Sequence, residues 1–334
     1  MSVMNVRRLI PTAATAGAVA LGLLAVSACS TSDAAGEDGD GKLKVAASFY
    51  PMQYLAEQIG GDNVSVTPLT KPGVEPHDLE LKPRQTAELN DAGLILYLKG
   101  VQPAVDKAID QTSVKYKVDA ATLTKLEHFD TAGGHDSGHE EAGHEEAGHE
   151  EAGHEDHEAE AGADPHIWLD PVKYAEVAKG VGARMEKADP DHAADYKKNT
   201  DALVAELTAL HTDFEKGLRN SATKTFITTH SAFGYLAERY GLEQEGIAGV
   251  DPESEPSPAR IKELQTIAKE DKVTTVFFET LASDKTAKTL AEDTGLKTDV
   301  LDPLEGITDR SKGDDYIEVM RSNLAALQKA LGAK

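Results

Sequence analysis

The sequence predicts an α/β protein of two lobes with mainly parallel sheets, joined by one long rigid helix. Three observations predict this fold. Short apolar runs alternate with helical patterns over residues 43–110, and the same alternation returns over residues 225–331. Between them, a polar stretch repeats apolar residues at spacings of three and four. Strands that alternate with helices are typical of parallel sheets covered on both faces.

The first lobe is predicted to occupy residues 42–190. Its apolar, β-branched runs predict strands at 43–49, 64–69 and 94–98. Helical spacing predicts helices at 52–59, 84–91 and 102–110, and the first of these is followed by two glycines.

The second lobe is predicted at residues 220–334. Strands are expected at 225–229, 273–278 and 298–301, and helices at 232–240, 258–270, 284–293 and 314–331. A connecting helix is assigned to residues 191–219, where the apolar positions are Leu203, Leu207, Leu210, Phe214 and Leu218. Such a helix would be about 42 Å long, enough to run across both lobes. From periodicity alone, an ordinary surface helix of a single domain is the alternative.

The N-terminus has the pattern of an export signal. Arg7 and Arg8 precede an apolar run over residues 13–28, which suits a secretory signal better than a membrane span. The run ends in Val-Ser-Ala directly before Cys29, which resembles the lipobox of bacterial lipoproteins. We therefore expect a signal peptide at 1–28, a lipid on Cys29 and a flexible tether at 29–41, with the protein anchored to the membrane outside the cytoplasm. An ordinary signal peptide with a chance cysteine is the alternative.

Composition narrows the chemistry. The 334-residue chain has a formal net charge of −24, which argues against a nucleic-acid partner. Its single cysteine permits no internal disulfide and no cysteine-based zinc site. A metal site in this chain must therefore use His, Asp and Glu.

A histidine-rich tract occupies residues 134–158, where Gly-His-Glu-Glu-Ala recurs with a period of five. It contains His135, His139, His144, His149, His154 and His157. Repeated glycine and few apolar residues predict a disordered loop, and dense His with carboxylates predicts weak, multi-site binding of Zn²⁺ or similar ions. A solvated acidic spacer with incidental histidines is the alternative.

Three other histidines lie in loops or at strand ends. His77 stands in a turn-rich loop after the second strand, His166 precedes a helix, and His230 follows the strand at 225–229. Asp302 directly follows the strand at 298–301. Ligands of open parallel sheets bind beyond the carboxyl ends of the strands, which is where His77, His230 and Asp302 are expected. Three imidazoles and one carboxylate suit tetrahedral Zn²⁺ and leave no open position for catalysis.

These motifs resemble the zinc-type solute-binding lipoproteins of bacterial ABC importers. The motifs are the lipobox, Pro76-His77-Asp78, the histidine-rich insertion, the segment 164–171, the segment 229–233 and Asp302-Pro303-Leu304. The resemblance implies two Rossmann-like lobes joined by a rigid helix, with the metal in the cleft between them. Because the two lobes would share the ligands and the connector is stiff, we expect small adjustments on binding instead of wide closure.

The resemblance also implies a ligand set and partners. His77 and His166 would be the ligands from the first lobe and His230 the third, where manganese-selective relatives carry Glu. Asp302 is the expected fourth ligand, with Glu305, Glu279 or water as alternatives. The transported ion would be Zn²⁺ rather than Mn²⁺, and a monomeric chain would hand it to the permease and ATPase of an ABC importer.

The sequence also fits two other classes of protein. An extracellular zinc hydrolase could use three His with water as the fourth ligand, but neither a His-Glu-x-x-His nor a Gly-x-Ser-x-Gly motif occurs. A surface adhesin or metal buffer is the other class. The prediction is therefore a transport protein and not an enzyme.

Overall fold

The computed structural model describes residues 41–129 and 162–334 of the chain. This part of the chain forms two four-stranded sheets, each with helices packed against it, and every strand pairing in both sheets is parallel. The predicted α/β class with two parallel-sheet lobes is confirmed.

The first sheet has the strand order β2-β1-β3-β4. Its strands are β1 (Leu43–Ala47), β2 (Val64–Pro68), β3 (Leu94–Tyr97) and β4 (Tyr116–Asp119), and the helices between them are α1 (Tyr50–Gly60), α2 (Pro83–Asn90) and α3 (Pro103–Asp110). All three helices begin with Pro at the first or second position, where its missing N–H costs no hydrogen bond. The order reverses between β1 and β3, so a crevice is expected at their carboxyl ends.

The second sheet repeats this arrangement with the order β6-β5-β7-β8. Its strands are β5 (Thr225–Thr228), β6 (Glu243–Gly246), β7 (Thr275–Phe278) and β8 (Lys297–Val300); its helices are α6 (Gly234–Tyr240), α7 (Pro258–Glu270), α8 (Lys285–Thr294) and α9 (Tyr316–Leu331). Helix α9 begins where the Asp315 side chain accepts a hydrogen bond from the Glu318 N–H. It ends at Gly332, whose φ of 63° suits a residue without a side chain.

Two helices lie between the sheets in sequence, α4 (Pro171–Ala188) and α5 (Ala193–Leu218). Helix α5 is the predicted connecting helix, and at 26 residues it is about 39 Å long. Its buried positions include all five apolar residues that predicted it. It packs against α1 and α4 on the side of the first sheet and against α6 and α9 on the side of the second. The limits of the lobes as separate domains stay predictions.

One hydrophobic cluster runs through both lobes. It contains Leu96 from the first sheet, Phe214 from α5, and Phe226 and Phe277 from the second sheet. Smaller clusters lie on the outer faces, around Ile95 in the first lobe and Ile227 in the second. The continuous core means that the surfaces between the lobes are packed together through the helices instead of being separated by solvent.

Strands β4 and β6 were not predicted from the sequence. Both lie at sheet edges, and their sequences, Tyr-Lys-Val-Asp and Glu-Gln-Glu-Gly, contain no apolar run. Edge strands commonly carry charged residues, because these discourage pairing with another chain. A search for buried strands therefore passes over them.

The predicted signal peptide, Cys29, the tether and the histidine-rich tract lie outside the described residues. Within residues 41–129 and 162–334, every helix is too short or too polar to cross a membrane.

Candidate metal centre

Five polar side chains meet near the carboxyl ends of strands from both sheets. His77 lies in the loop between β2 and α2, and His230 lies two residues after the end of β5. Glu279 directly follows β7, and Glu305 lies in the loop after β8. His166 comes from the segment immediately before the short 3₁₀ turn Ile167–Leu169 that leads into α4. Both lobes therefore contribute to one site, as expected for parallel sheets.

Four of these residues place one ligand atom each within 4.8 Å of all the others: His77, His166, His230 and Glu305. The Nε2 atoms of the three histidines lie 3.2, 3.2 and 3.3 Å from a single oxygen, Oε1 of Glu305. Four tetrahedral ligands at zinc bond lengths are about 3.3 Å apart. The spacing around Glu305 therefore fits the edges of a zinc tetrahedron.

Carboxylates fix the orientation of two of the rings. Asp164 Oδ1 accepts hydrogen bonds from the backbone N–H of His166 at 2.8 Å and from its ring Nδ1 at 2.7 Å. Glu279 Oε1 accepts from Nδ1 of His230 at 2.9 Å and also from the Thr229 hydroxyl. Because an ionised carboxylate can only accept, Nδ1 carries the proton in both rings.

With the proton on Nδ1, a neutral ring directs the lone pair of its Nε2 at the carboxylate of Glu305. Two lone-pair donors directed at an anion repel it unless a cation lies between them. A metal-bound histidine usually donates its other ring N–H to a carboxylate, so that carboxylate, imidazole and metal lie in a row. Nε2 of His230 and Oε2 of Glu305 are buried and have no hydrogen-bond partner within the described part of the chain, which also fits a metal position.

Burial and charge shift the titration of the cluster in opposite directions. Burial alone would lower the pKa of His166, but the carboxylates of Asp164 and Glu305 outweigh it and raise that pKa. In the same way, Glu279 and Glu305 raise the pKa of His230 well above its usual value against the effect of burial. Burial would raise the pKa of Glu305, yet the imidazoles, His230 first among them, hold it well below its usual value. These directions show that the carboxylates around the rings favour a positive charge in the cluster.

A further carboxylate, Glu75, lies beside the cluster. Its burial and the neighbouring charge of Glu305 raise its pKa to about 8. One of its oxygens accepts from the backbone N–H of His77 at 3.3 Å. The sequence analysis did not single out Glu75, since one Glu in a polar loop gives no signal.

Asp302, the expected fourth ligand, lies outside the group of four, and Glu305, one of its alternatives, occupies that place. The Asp302 carboxylate instead accepts hydrogen bonds from the Leu304 N–H at 2.9 Å, the Ser311 hydroxyl at 2.7 Å and the Thr280 hydroxyl at 3.2 Å. Its side chain is thus used to hold the loop that presents Glu305. Glu279, the other alternative, is bonded to Nδ1 of His230 and is not among the four.

The turn between Asp302 and Glu305 explains why Glu305, and not Asp302, belongs to the group of four. Leu304 has a φ of 59°, which is uncommon for a residue with a side chain. Its N–H is bonded to Asp302, and its own side chain is fully buried. The turn directs the side chain of Glu305, three residues after Asp302, into the site. No residue type in the sequence predicts this turn.

Two aromatic residues connect the site to both lobes. The Trp168 ring lies 5.0 Å from that of His166, and its Nε1–H donates to the Pro303 carbonyl at 2.7 Å. The hydroxyl of Tyr316, the first residue of α9, donates to the Trp168 carbonyl at 2.5 Å. Asp170 at the start of α4 also pairs with Arg239 of α6 at 2.6 Å. The segment that carries His166 is therefore bound to the second lobe on several sides.

The fold and this site define a solute-binding protein whose binding site is shaped for a metal ion. The family described as "Zinc-uptake complex component A periplasmic" matches residues 45–330. The chain belongs to this family, which is a family of solute-binding components and not of enzymes.

Relatives of known sequence agree with this assignment. The chain is 39% identical over 325 residues to the high-affinity zinc uptake system protein ZnuA of Bacillus subtilis, covering 95% of this chain and 97% of that one. It is 36% identical over 300 residues to the zinc-binding lipoprotein AdcA of Streptococcus pneumoniae, covering 88% of this chain. The match spans only 56% of AdcA.

Solved structures show the same fold. The Zn(II)-bound ZnuA-like domain of Streptococcus pneumoniae AdcA superposes with a TM-score of 0.68 at 32% identity, covering 87% of this chain and 99% of that one. The laminin-binding protein Lmb of Streptococcus agalactiae, described as a bifunctional protein with adhesin and metal transporting activity, gives 0.72 at 30% identity, covering 86% and 99%.

Proposed function

We propose that this protein captures Zn²⁺ outside the cytoplasm and delivers it to an ABC-type importer. The observation that carries the proposal is the meeting of three imidazole Nε2 atoms around one carboxylate oxygen at 3.2–3.3 Å. The ligands in this proposal are His77, His166, His230 and Glu305. Membership of the zinc-uptake family supports it.

The donor set favours zinc over manganese. Imidazole nitrogen suits Zn²⁺, whereas Mn²⁺ prefers carboxylate, carbonyl and water oxygens. The buried group of four offers three nitrogens and one carboxylate. We therefore propose Zn²⁺ as the transported ion, bound with its four ligand positions filled by the protein.

The remaining parts of the proposal rest on sequence patterns. Cys29 would carry the lipid that anchors the protein to the membrane, and residues 29–41 would be its tether. His135, His139, His144, His149, His154 and His157 would bind zinc weakly and raise its concentration near the centre. The partners would be the permease and the ATPase of the importer.

A zinc-competition experiment tests the proposal. The protein without residues 1–41 and 134–158 is titrated with Zn²⁺ against a chromogenic chelator, so that the tract does not contribute. One tight site is expected per chain. His230→Ala and Glu305→Ala should each weaken it by more than about 100-fold, because each removes a ligand.

Asp302→Ala is the informative comparison in the same titration. Its carboxylate holds the loop and does not face the ion, so its removal should weaken zinc binding less than Glu305→Ala does. A tight site unaffected by both His230→Ala and Glu305→Ala would contradict the proposal. So would the disappearance of all tight binding when only the tract is removed.

Adhesion is a second candidate function, favoured by the likeness to the laminin-binding protein Lmb. Direct binding of the purified chain to immobilised laminin would test it. Binding that persists in a variant unable to hold zinc would separate adhesion from metal capture.

A further inference from the structure

Two cavities lie next to the metal centre. The front cavity has a volume of about 450 Å³ and is lined by Tyr50 and Gln53 of α1 on one side and by Thr308 and Asp309 on the other, together with Glu305 of the centre. The back cavity, of about 470 Å³, is lined by residues of the other side, among them Glu127, Asp164 and Glu238. Of these two, only the front cavity includes a member of the group of four.

The centre is closed on its other sides. The side chains of His166 and Glu305 are fully buried and that of His230 is 1% exposed, whereas 10% of His77 is exposed. His77 lies on the loop after β2, whose residues 70–72 also line the front cavity.

Glu305 connects the centre with the front cavity. Its Oε1 faces the three imidazoles, while its Oε2 is buried and has no hydrogen-bond partner among the described residues. A buried carboxylate oxygen without a partner is costly. Because Glu305 is the member of the group of four that lines the cavity, an ion arriving there would meet Glu305 before the imidazoles.

The front cavity is large enough for a hydrated ion. Six waters at roughly 30 Å³ each occupy roughly 200 Å³. The cavity of about 450 Å³ exceeds this. Its wall also has two exposed carboxylates, Asp309 and Asp314, against one exposed ammonium, Lys71, so that its net charge is negative and attracts a cation.

We propose that Zn²⁺ reaches and leaves the centre through the front cavity, between α1 and the loop 305–314, with Glu305 as its first protein ligand. The inference rests on the proposed function and adds a route to it. Gln53 and Thr308 stand on opposite walls of this route. The back cavity next to Asp164 and Glu238 is the competing route, since it adjoins residues 127–129, which precede the segment containing the histidine-rich tract.

The chain contains a natural reporter for the experiment. Trp168 is its only tryptophan and lies 5.0 Å from the His166 ring, so its fluorescence reports the centre and not the tract. Stopped-flow mixing of the full chain with Zn²⁺ gives the association rate. Mixing the loaded chain with excess chelator gives the dissociation rate.

Phenylalanine is introduced into each cavity to narrow it without adding a tryptophan. Gln53→Phe and Thr308→Phe narrow the front cavity from opposite walls, and Glu238→Phe narrows the back cavity as the matched control. An obstacle on the route slows passage in both directions. Each front variant should therefore lower both rate constants by a similar factor, about tenfold, with the Kd unchanged.

The control should leave both rate constants at their original values. Circular dichroism shows which variants fold. Gln53→Phe and Thr308→Phe lie on different elements, so if one of them fails to fold, the other still tests the front cavity. Unchanged rates in the front variants, a change in Kd without a change in association rate, or slowing by Glu238→Phe alone would overturn the route. If the original chain itself shows no saturable Trp168 response to Zn²⁺, the proposed function fails instead.

Discussion

At the scale of single residues, two carboxylates outside the group of four hold its histidines in position. Asp164 and Glu279 each bond to the Nδ1 of a histidine and so set which nitrogen is free for metal. Partners of this kind also hold the ring in place before the ion arrives. From the sequence, Glu279 was one of the possible ligands. Its distance from the other donor atoms could not be predicted from the sequence.

Glu279→Gln should weaken zinc binding by about 10–100-fold while leaving the four ligands present, because an amide neither holds the Nδ1 proton as firmly nor supplies negative charge. Chelator competition measures the change. Glu270→Gln, on an exposed position of α7, is the control and should bind zinc as the original chain does. Equal affinity for Glu279→Gln and the control would show that the carboxylate does not support His230.

The histidines of the centre were predictable, whereas Glu305 was predicted only as an alternative to Asp302 for the fourth place. His77, His166 and His230 stood out because loops and strand ends gather at one edge of parallel sheets. The choice between Asp302 and Glu305 depended on the turn at Leu304, with its φ of 59°. Such a turn changes which side chain faces the site, and a leucine at this position does not predict the turn.

At the scale of elements, the apolar strands were predictable and the polar edge strands were not. Helix α5 followed directly from five apolar residues on one face, since burial of that face is what stabilises it. Strands β4 and β6 are held by backbone pairing to β3 and β5, and their side chains contribute little to a pattern. Edge strands of this type are found only when the neighbouring strand is known.

Two lysines, one of them on α9, bind strand β8 through Asp299. Asp299 of β8 accepts hydrogen bonds from Lys312 at 2.9 Å and from Lys329 of α9 at 2.8 Å. Partial burial raises the pKa of Asp299, but these two lysines outweigh it and lower the pKa to about 2. The ionised carboxylate is therefore favoured by the folded state.

A lowered pKa in the folded state gives stability that is complete above the ordinary pKa of 3.8 and is lost as the pH falls toward 2. Both lysines are at least half exposed, so we expect less than about 1 kcal/mol. Urea unfolding at pH 5 and at pH 2.5 should show that Asp299→Asn is the less stable protein at the higher pH and that the difference shrinks at the lower pH. Asp293→Asn, exposed on α8, is the control. A difference independent of pH would contradict the assignment to Asp299 ionisation.

At the scale of the whole molecule, the continuous core limits how far the lobes can move. Lobes that share a large apolar interface move less than lobes joined by a flexible linker. Here one cluster includes residues of both sheets and of α5, and the Trp168, Tyr316 and Arg239 contacts add to it. Zinc binding should therefore change loops near the centre and not the arrangement of the lobes.

Small-angle X-ray scattering tests this expectation. The radius of gyration of the protein without residues 1–41 and 134–158 should be the same, within error, with and without Zn²⁺, because the core does not open. Loops such as that of His77 would still change, and hydrogen exchange would detect them. A clear decrease in radius on zinc addition would mean a hinged closure that the packing does not allow.

The most direct test of the central claim is the position of the ion itself. A crystal of the zinc-loaded protein, with diffraction recorded on both sides of the zinc absorption edge, locates bound zinc without assumptions about its ligands. We predict one anomalous peak about 2.0–2.2 Å from Nε2 of His77, His166 and His230 and from a carboxylate oxygen of Glu305. A peak bound by Asp302, or a fully loaded protein with no peak between these four residues, would contradict the account.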